Sequence, residues 1–235
     1  MTAVLLERIL GRVASLVVPP LCVSCREPEL SGAAVCAGCR RRLVALRDPR
    51  CERCGAPVVT PASRCPECRG RRPAFRTAWS AFAYESTARA LVAALKSRGA
   101  TPAARFMAGE IASRAPPGVL AGTLVPVPAH PERHRRHGMN QAACIATALG
   151  RATGLAAASP LSRESGSRAQ VGLARRERLA NARGSVSVRR RIALDRVVLV
   201  DDVYTTGATL DACARALAQA GAGEVAAVTF ARAVR

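Results

Sequence analysis

The chain has 235 residues, 49% of them hydrophobic, which excludes a mostly disordered chain and suffices for one or two packed domains. Its 36 Lys and Arg against 16 Asp and Glu leave a net charge of +20, which suits a polyanionic partner such as phosphate groups or nucleic acid, although a GC-rich coding bias yields the same arginine excess. Aromatics at 3% argue against a base-stacking platform for single strands, and no stretch nears the roughly 18 uncharged apolar residues of a membrane span.

Between Val4 and Val18, Leu5, Leu6, Ile9, Leu10, Val13, Leu16 and Val17 recur at helical spacing around Glu7, Arg8 and Arg12. That predicts an amphipathic helix rather than the uninterrupted apolar block of a secretory signal. Ten cysteines without such a signal point to metal instead of disulfides, and to a cytoplasmic setting.

Eight of those cysteines form four CxxC pairs: Cys22/Cys25, Cys36/Cys39, Cys51/Cys54 and Cys65/Cys68. The spacing C-x2-C-x10-C-x2-C occurs twice, the second copy offset by 29 residues at all four positions. Two thiolates on a CxxC turn hold one face of an ion and a second pair completes a tetrahedron, so the pattern predicts zinc; a redox dithiol is the alternative. Four sulfur ligands leave no position for water, which makes such zinc structural, a substitute for the core this Pro- and Arg-rich stretch lacks. Each repeat either closes its own site or exchanges knuckles with the other, and the comfortable x10 loop favours local closure. Cys144 and Cys213 lie in Ala-rich helical patterns and read as buried packing residues. The module ends near Arg72, giving a zinc-binding segment over 1–72 and a second domain over 73–235. Arg40, Arg41, Arg42, Arg50, Arg53 and Arg64 are either phosphate contacts or a solvated charged face.

The second domain alternates strand and helix. Thr77 to Tyr84 reads as a strand, Ser86 to about Lys96 and Pro102 to about Arg114 as helices, and Leu124 to Pro128 as a short strand stopped by its prolines. A basic segment follows, with His130, Arg133, His134, Arg135, Arg136 and His137; a histidine metal site is one reading of it. Gly138 to about Arg151 and Leu173 to about Ala182 read as helices, Arg196 to Val200 as a buried parallel strand, Ala208 to Ala220 as a helix, and Val225 to Phe230 as the last strand. This alternation predicts an α/β fold, a parallel sheet flanked by helices, with ligands at the carboxyl ends of its strands.

The run from Val197 to Thr209 holds the densest chemistry. An apolar strand delivers Asp201 and Asp202 to its carboxyl end, and Thr205-Thr206-Gly207-Ala208-Thr209 opens a helix at once. Hydroxyls, backbone N–H groups and a helix N-terminus together suit a phosphate monoester, while the carboxylates suit sugar hydroxyls or hydrated Mg2+. The run resembles the signature with which type I phosphoribosyltransferases bind 5-phosphoribosyl 1-pyrophosphate (PRPP). From about Cys22 onward the chain resembles the ComF family of competence-related proteins, which joins a cysteine-rich zinc module to such a domain. Tyr84, Lys96, Val125-Pro126-Val127-Pro128, Asn140-Gln141, Gln170, Arg178 and Asn181 also match that pattern.

The resemblance implies that Asp201 and Asp202 hold the ribose 2′- and 3′-hydroxyls with Mg2+, and that Thr205 to Thr209 cradle the 5-phosphate. It places pyrophosphate against Arg133, Arg135, Arg136, Asn140 and Gln141, where Arg suits bidentate phosphate contacts. His137 and Met139 stand where the family has Arg and Phe. Tyr84, Lys96, Gln170, Arg178 and Asn181 fall on the lid or acceptor side. The implied function is PRPP binding in DNA uptake or DNA handling, with single-stranded DNA or the uptake machinery as partner. The alternatives are a phosphoribosyltransferase of nucleoside metabolism acting on a base or small nucleophile, and a non-enzymatic nucleic-acid-binding adaptor.

Overall fold

The structure, a computed structural model, describes residues 20–60, 64–98, 101–131, 138–163, 186–188 and 194–234. The expected helices near Val4–Val18 and Leu173–Ala182, and the candidates Arg133, Arg135, Arg136, Gln170, Arg178 and Asn181, lie outside the described residues.

Two short helices in the cysteine-rich part, α1 (Ala37–Arg41) and α2 (Pro66–Arg69), each begin directly after a cysteine, Cys36 or Cys65. Then follow β1 (Thr77–Ala83), α3 (Ser86–Arg98), α4 (Thr101–Arg114), β2 (Thr123–Pro126) and α5 (Gln141–Thr153). The chain continues through β3 (Leu161–Arg163), β4 (Val186–Val188), β5 (Arg196–Tyr204), α6 (Ala208–Gln219) and β6 (Glu224–Arg232). Strands β1, β6, β5 and β2, in that order, form a sheet in which every pairing is parallel; β3 and β4 make a separate antiparallel pair.

The strands are apolar on both faces because both faces are covered. Val198, Val200, Val228 and Phe230 pack toward α3, α4 and α5, against Leu91, Leu95, Met107, Ile111, Ile145 and Leu149. The alternate residues Val197, Leu199, Val225 and Ala227 pack toward Leu210, Cys213 and Leu217 of α6 and toward the second cysteine repeat. Cys213 is fully buried and Cys144 half-buried in these clusters, in keeping with a packing role.

The cysteine-rich part also closes the open edge of the sheet. Ala78 N–H donates to the Arg53 carbonyl at 2.9 Å and Ala83 N–H to that of Val44 at 2.8 Å, so β1 presents no bare edge. Glu110 of α4, 3% exposed, receives Arg40 from α1 at 2.8 Å on one carboxylate oxygen and Arg114 at 2.8 Å on the other.

Several boundaries differ from the sequence reading, three of them beside the cleft. Strand β5 runs to Tyr204 instead of Val200, because its ladder with β6 continues through Val203–Ala231 and Tyr204–Arg232 and carries the acid pair inside a paired strand. Strand β2 ends at Pro126. Helix α5 begins at Gln141, since Gly138 adopts a left-handed φ of 67° and Asn140 supplies the cap. Among the described residues no helix is long and apolar enough to cross a membrane.

Candidate functional site

Within each cysteine repeat all four Sγ atoms lie within 4.8 Å of one another: Cys22, Cys25, Cys36 and Cys39 in the first, Cys51, Cys54, Cys65 and Cys68 in the second. A tetrahedral ion with Zn–S bonds of 2.3 Å needs sulfurs about 3.8 Å apart. The Cys25–Cys36 separation is 3.8 Å and that of Cys54–Cys65 is 3.4 Å. Local structure builds this geometry twice. One pair sits on a tight turn, closed by Cys22 N–H to Glu27 and Cys51 N–H to Ala56; the other straddles the start of α1 or α2. Each repeat therefore closes its own four-sulfur site, and the donor sets fit two structural zinc ions.

The surroundings divide each repeat: they favour the thiolate at Cys22 and Cys51 and oppose it at Cys25, pushed up to about 12, at Cys54, pushed up to about 11, and at Cys68, raised well above its ordinary value. Burial opposes ionisation of Cys22, but backbone N–H groups of Cys36, Cys25 and Ser24 outweigh it and bring the thiol down to about 6. Those of Cys65, Cys54 and Arg53 bring Cys51 down to about 7 against the same opposition. Arg42 donates to Cys39 Sγ at 3.0 Å, and Arg232 to Cys54 Sγ at 3.5 Å. Burial pushes Cys213, outside both repeats, up to about 12, the state of a neutral packing thiol.

At the carboxyl ends of β2 and β5 lies a cleft of about 500 Å3. Lys96, Asn140, Gln141, Asp201, Asp202, Thr205 and Thr209 all line it, from four different elements and loops. Lys96 Nζ meets Asp202 Oδ2 at 2.8 Å. Asp201 Oδ1 accepts the Asp202 backbone N–H at 2.9 Å. Burial and then the neighbouring Asp202 charge hold the Asp201 carboxyl well above the usual carboxylate range, with Lys96 pulling the other way.

The turn after β5 leads into α6, a helix of 12 residues whose free N–H groups open toward the cleft end of the strand. Gly207 caps it with φ 71°, where an added Cβ would overlap the Tyr204 hydroxyl. Thr206 is occupied within the turn: its Oγ1 accepts Ala208 N–H at 3.3 Å, and its carbonyl accepts Arg71 Nη1 at 3.0 Å.

Asn140 and Gln141 divide their labour. Asn140 Oδ1 accepts Ala142 N–H at 3.0 Å and its Nδ2 donates to Val127 at 2.9 Å, so it locks α5 to the end of β2. Gln141, 7% exposed, keeps a buried Nε2 donor at the cleft wall without a partner among the described residues. Tyr84 is not part of the lining; it stands beyond β1, its ring 5.4 Å from the Arg89 guanidinium. His130 and Arg163 do line the cleft. His130 was legible only as one of three neighbouring histidines, and Arg163 had no local signal, because the β3–β4 pairing brings it there.

Most zinc-module arginines offered as phosphate contacts have inward tasks. Arg40 binds Glu110, Arg42 a thiolate, Arg50 the Ser80 and Leu46 carbonyls, and Arg53 those of Arg76 and Pro73. Arg41 and Arg64 are exposed.

Comparison with known families meets this geometry at both ends of the chain. Residues 13–69 match the double zinc ribbon domain and residues 152–234 the phosphoribosyl transferase domain. The chain is thus similar to the first of these domains at one end and to the second at the other. The second match includes Arg163, the acid pair and the Thr-rich turn; Lys96, His130 and Gln141 precede it. No curated protein matches the chain in sequence. Among solved structures it is similar to glutamine PRPP amidotransferase from B. subtilis complexed with ADP and GMP, at TM-score 0.37 and 22% identity over 53% of this chain and 26% of that one. It is likewise similar to a structure described as the allosteric regulatory enzyme of purine biosynthesis, at TM-score 0.34 and 22% identity over 53% and 25%. The chain spans about a quarter of the length of those proteins.

Proposed function

We propose that the cleft binds PRPP with Mg2+ and that the protein is a zinc-stabilised member of the ComF family acting in DNA uptake or handling. The observation that carries the PRPP reading is the meeting of Asp201 and Asp202 with the Thr205–Thr209 turn at the N-terminus of α6, at the carboxyl end of a parallel strand. The turn offers backbone N–H groups and hydroxyls to a phosphate, and the acid pair offers oxygen acceptors to ribose hydroxyls. Mg2+, when bound, would screen pyrophosphate charge and polarise it as a leaving group. Gln141 Nε2, a cleft-lining donor without a partner among the described residues, would meet an anionic acceptor there, and the family resemblance gives the pyrophosphate to Arg133, Arg135 and Arg136. In a transfer reaction the acceptor's lone pair would form a bond to ribose C1 as the C1–O bond to pyrophosphate breaks, and the acceptor would lose a proton.

Calorimetry with PRPP and Mg2+ tests the binding. Micromolar binding that disappears in Asp201→Asn/Asp202→Asn is expected; no binding, or binding untouched by the double substitution, overturns the reading. Pyrophosphate release against a panel of bases and nucleosides separates turnover from binding alone. The DNA role draws on the family resemblance and on the +20 charge. Its measurement is single-stranded DNA affinity across a salt series, where phosphate contacts give a steep negative slope of log affinity against log salt.

A further inference from the structure

We propose that Arg232 couples the second zinc site to the phosphate-binding turn, so that zinc held by Cys51, Cys54, Cys65 and Cys68 and anion held by Thr205–Thr209 strengthen each other's binding. The proposal rests on the PRPP reading of the cleft and adds a means of regulating it.

Arg232 ends β6 and is 4% exposed. A guanidinium so buried needs a counter-charge. Its contacts are the Cys54 carbonyl, from Nη1 at 2.7 Å, the Cys54 Sγ, from Nη2 at 3.5 Å, and the Tyr204 ring, whose centroid lies 4.1 Å away. No carboxylate is among its ion-pair partners in the described residues, so the anion that answers it is the zinc thiolate. On its other side the same guanidinium pins Tyr204, and Tyr204 lies against Gly207 so closely that a Cβ there would overlap its hydroxyl. The path from metal to phosphate turn is thus three side-by-side contacts: Cys54, Arg232, Tyr204, Gly207.

A second tie reaches the turn from the same repeat. Arg71, three residues beyond the ligand Cys68, donates to the Thr206 carbonyl at 3.0 Å. With zinc lost, Arg232 loses its counter-charge and Arg71 the fixed base from which it reaches, and the turn loses support from both sides. Among the described residues the first zinc site shows no such connection: its arginine, Arg42, answers Cys39, and α1 reaches the domain through Glu110.

Linkage makes the coupling measurable from the metal side: if zinc strengthens anion binding by some factor, the anion strengthens zinc binding by the same factor. The experiment follows zinc release from the full chain to a chromophoric chelator, with and without PRPP and Mg2+. Release in two phases is expected, PRPP slowing one of them about fivefold or more. The slowed phase should be the one that Arg232→Lys accelerates and Arg42→Lys leaves alone. In zinc-loaded protein Arg232→Lys should weaken PRPP binding by a comparable factor, with Arg42→Lys at the wild-type value. If Arg232→Lys fails to fold, the wild-type and Arg42→Lys release curves still decide, since the PRPP-sensitive phase must be the one Arg42→Lys does not move. PRPP that binds by calorimetry but leaves both phases unchanged overturns the coupling and spares the cleft; PRPP that does not bind overturns the cleft reading itself.

Discussion

Lys96 Nζ lies 2.8 Å from Asp202 Oδ2, tying the last turn of α3 to the end of β5 across the cleft. Lys96 is the one lysine among the 36 Lys and Arg. Its ammonium is a compact point charge where arginine would be a planar fork, and a divalent cation bound to the same carboxylate would compete with it. Lys96→Met should cost about 1–2 kcal/mol, below the full penalty for a broken buried pair because the lysine is 34% exposed. Mg2+ should recover part of that loss, raising the Tm of the variant more than that of the wild type. Equal Mg2+ effects on the two proteins would mean that the metal binds elsewhere.

Asp201 gives the cleft a pH dependence of definite sign. Burial and the adjacent Asp202 raise its pKa in the free cleft, so below that raised pKa the carboxyl enters binding protonated. A cation beside the pair favours the carboxylate, hence binding of Mg2+ and PRPP releases a proton, and affinity climbs with pH until the raised pKa is passed, then levels. Calorimetry in two buffers of different ionisation heat should report this release. In Asp201→Asn it should vanish. Proton uptake in the wild type would contradict the assignment.

Gly207 and Gly118 form a matched pair for the phosphate turn. Both have positive φ, 71° and 82°, so alanine at either costs about 1 kcal/mol of backbone strain. At Gly118 a Cβ meets nothing within 4 Å, whereas at Gly207 it overlaps the Tyr204 hydroxyl. Gly118→Ala should therefore lower the Tm slightly and leave PRPP binding alone. Gly207→Ala should lower it by several degrees more and abolish PRPP binding, because the ring and the cap must part. Similar behaviour of the two variants would show that the turn yields cheaply.

What sequence could convey followed from whether a feature is local. The apolar runs of β1, β5 and β6, the repeated CxxC spacing and the Asp-Asp-Thr-Thr-Gly order each declare themselves within one continuous stretch of the chain, and the parallel sheet and both cysteine clusters follow from them. Contacts between distant segments were not declared. Arg232 and Cys54 are 178 residues apart, and nothing near Arg232 marks it as buried. Arg50 and Arg53 counted as surface charge, yet they reach carbonyls of the sheet edge and the linker. Net charge sums such residues without asking what each one touches. The length of β5 was misjudged for the same reason, since the β6 ladder, and not the apolar run, decides where the strand stops.

Glu110 tests how the first zinc knuckle is held. Its carboxylate, 3% exposed, receives Arg40 from the knuckle helix and Arg114 from its own helix, each at 2.8 Å. Glu110→Gln keeps the shape but removes the charge from between two guanidinium groups, and should cost about 2–4 kcal/mol. Arg40→Ala should cost under about 1 kcal/mol, because Arg40 is 61% exposed and Arg114 still answers the glutamate. Arg114 also covers the Phe82 ring at 4.9 Å, so Arg114→Ala falls between the two. Hydrogen exchange locates the effect. In Glu110→Gln the amides of Arg40 and Leu43, bonded only within the knuckle, should exchange faster, while those of β6, in the middle of the sheet, keep their protection. Uniform loss of protection would mean that Glu110 supports the whole domain and that the knuckle has no separate docking contact there.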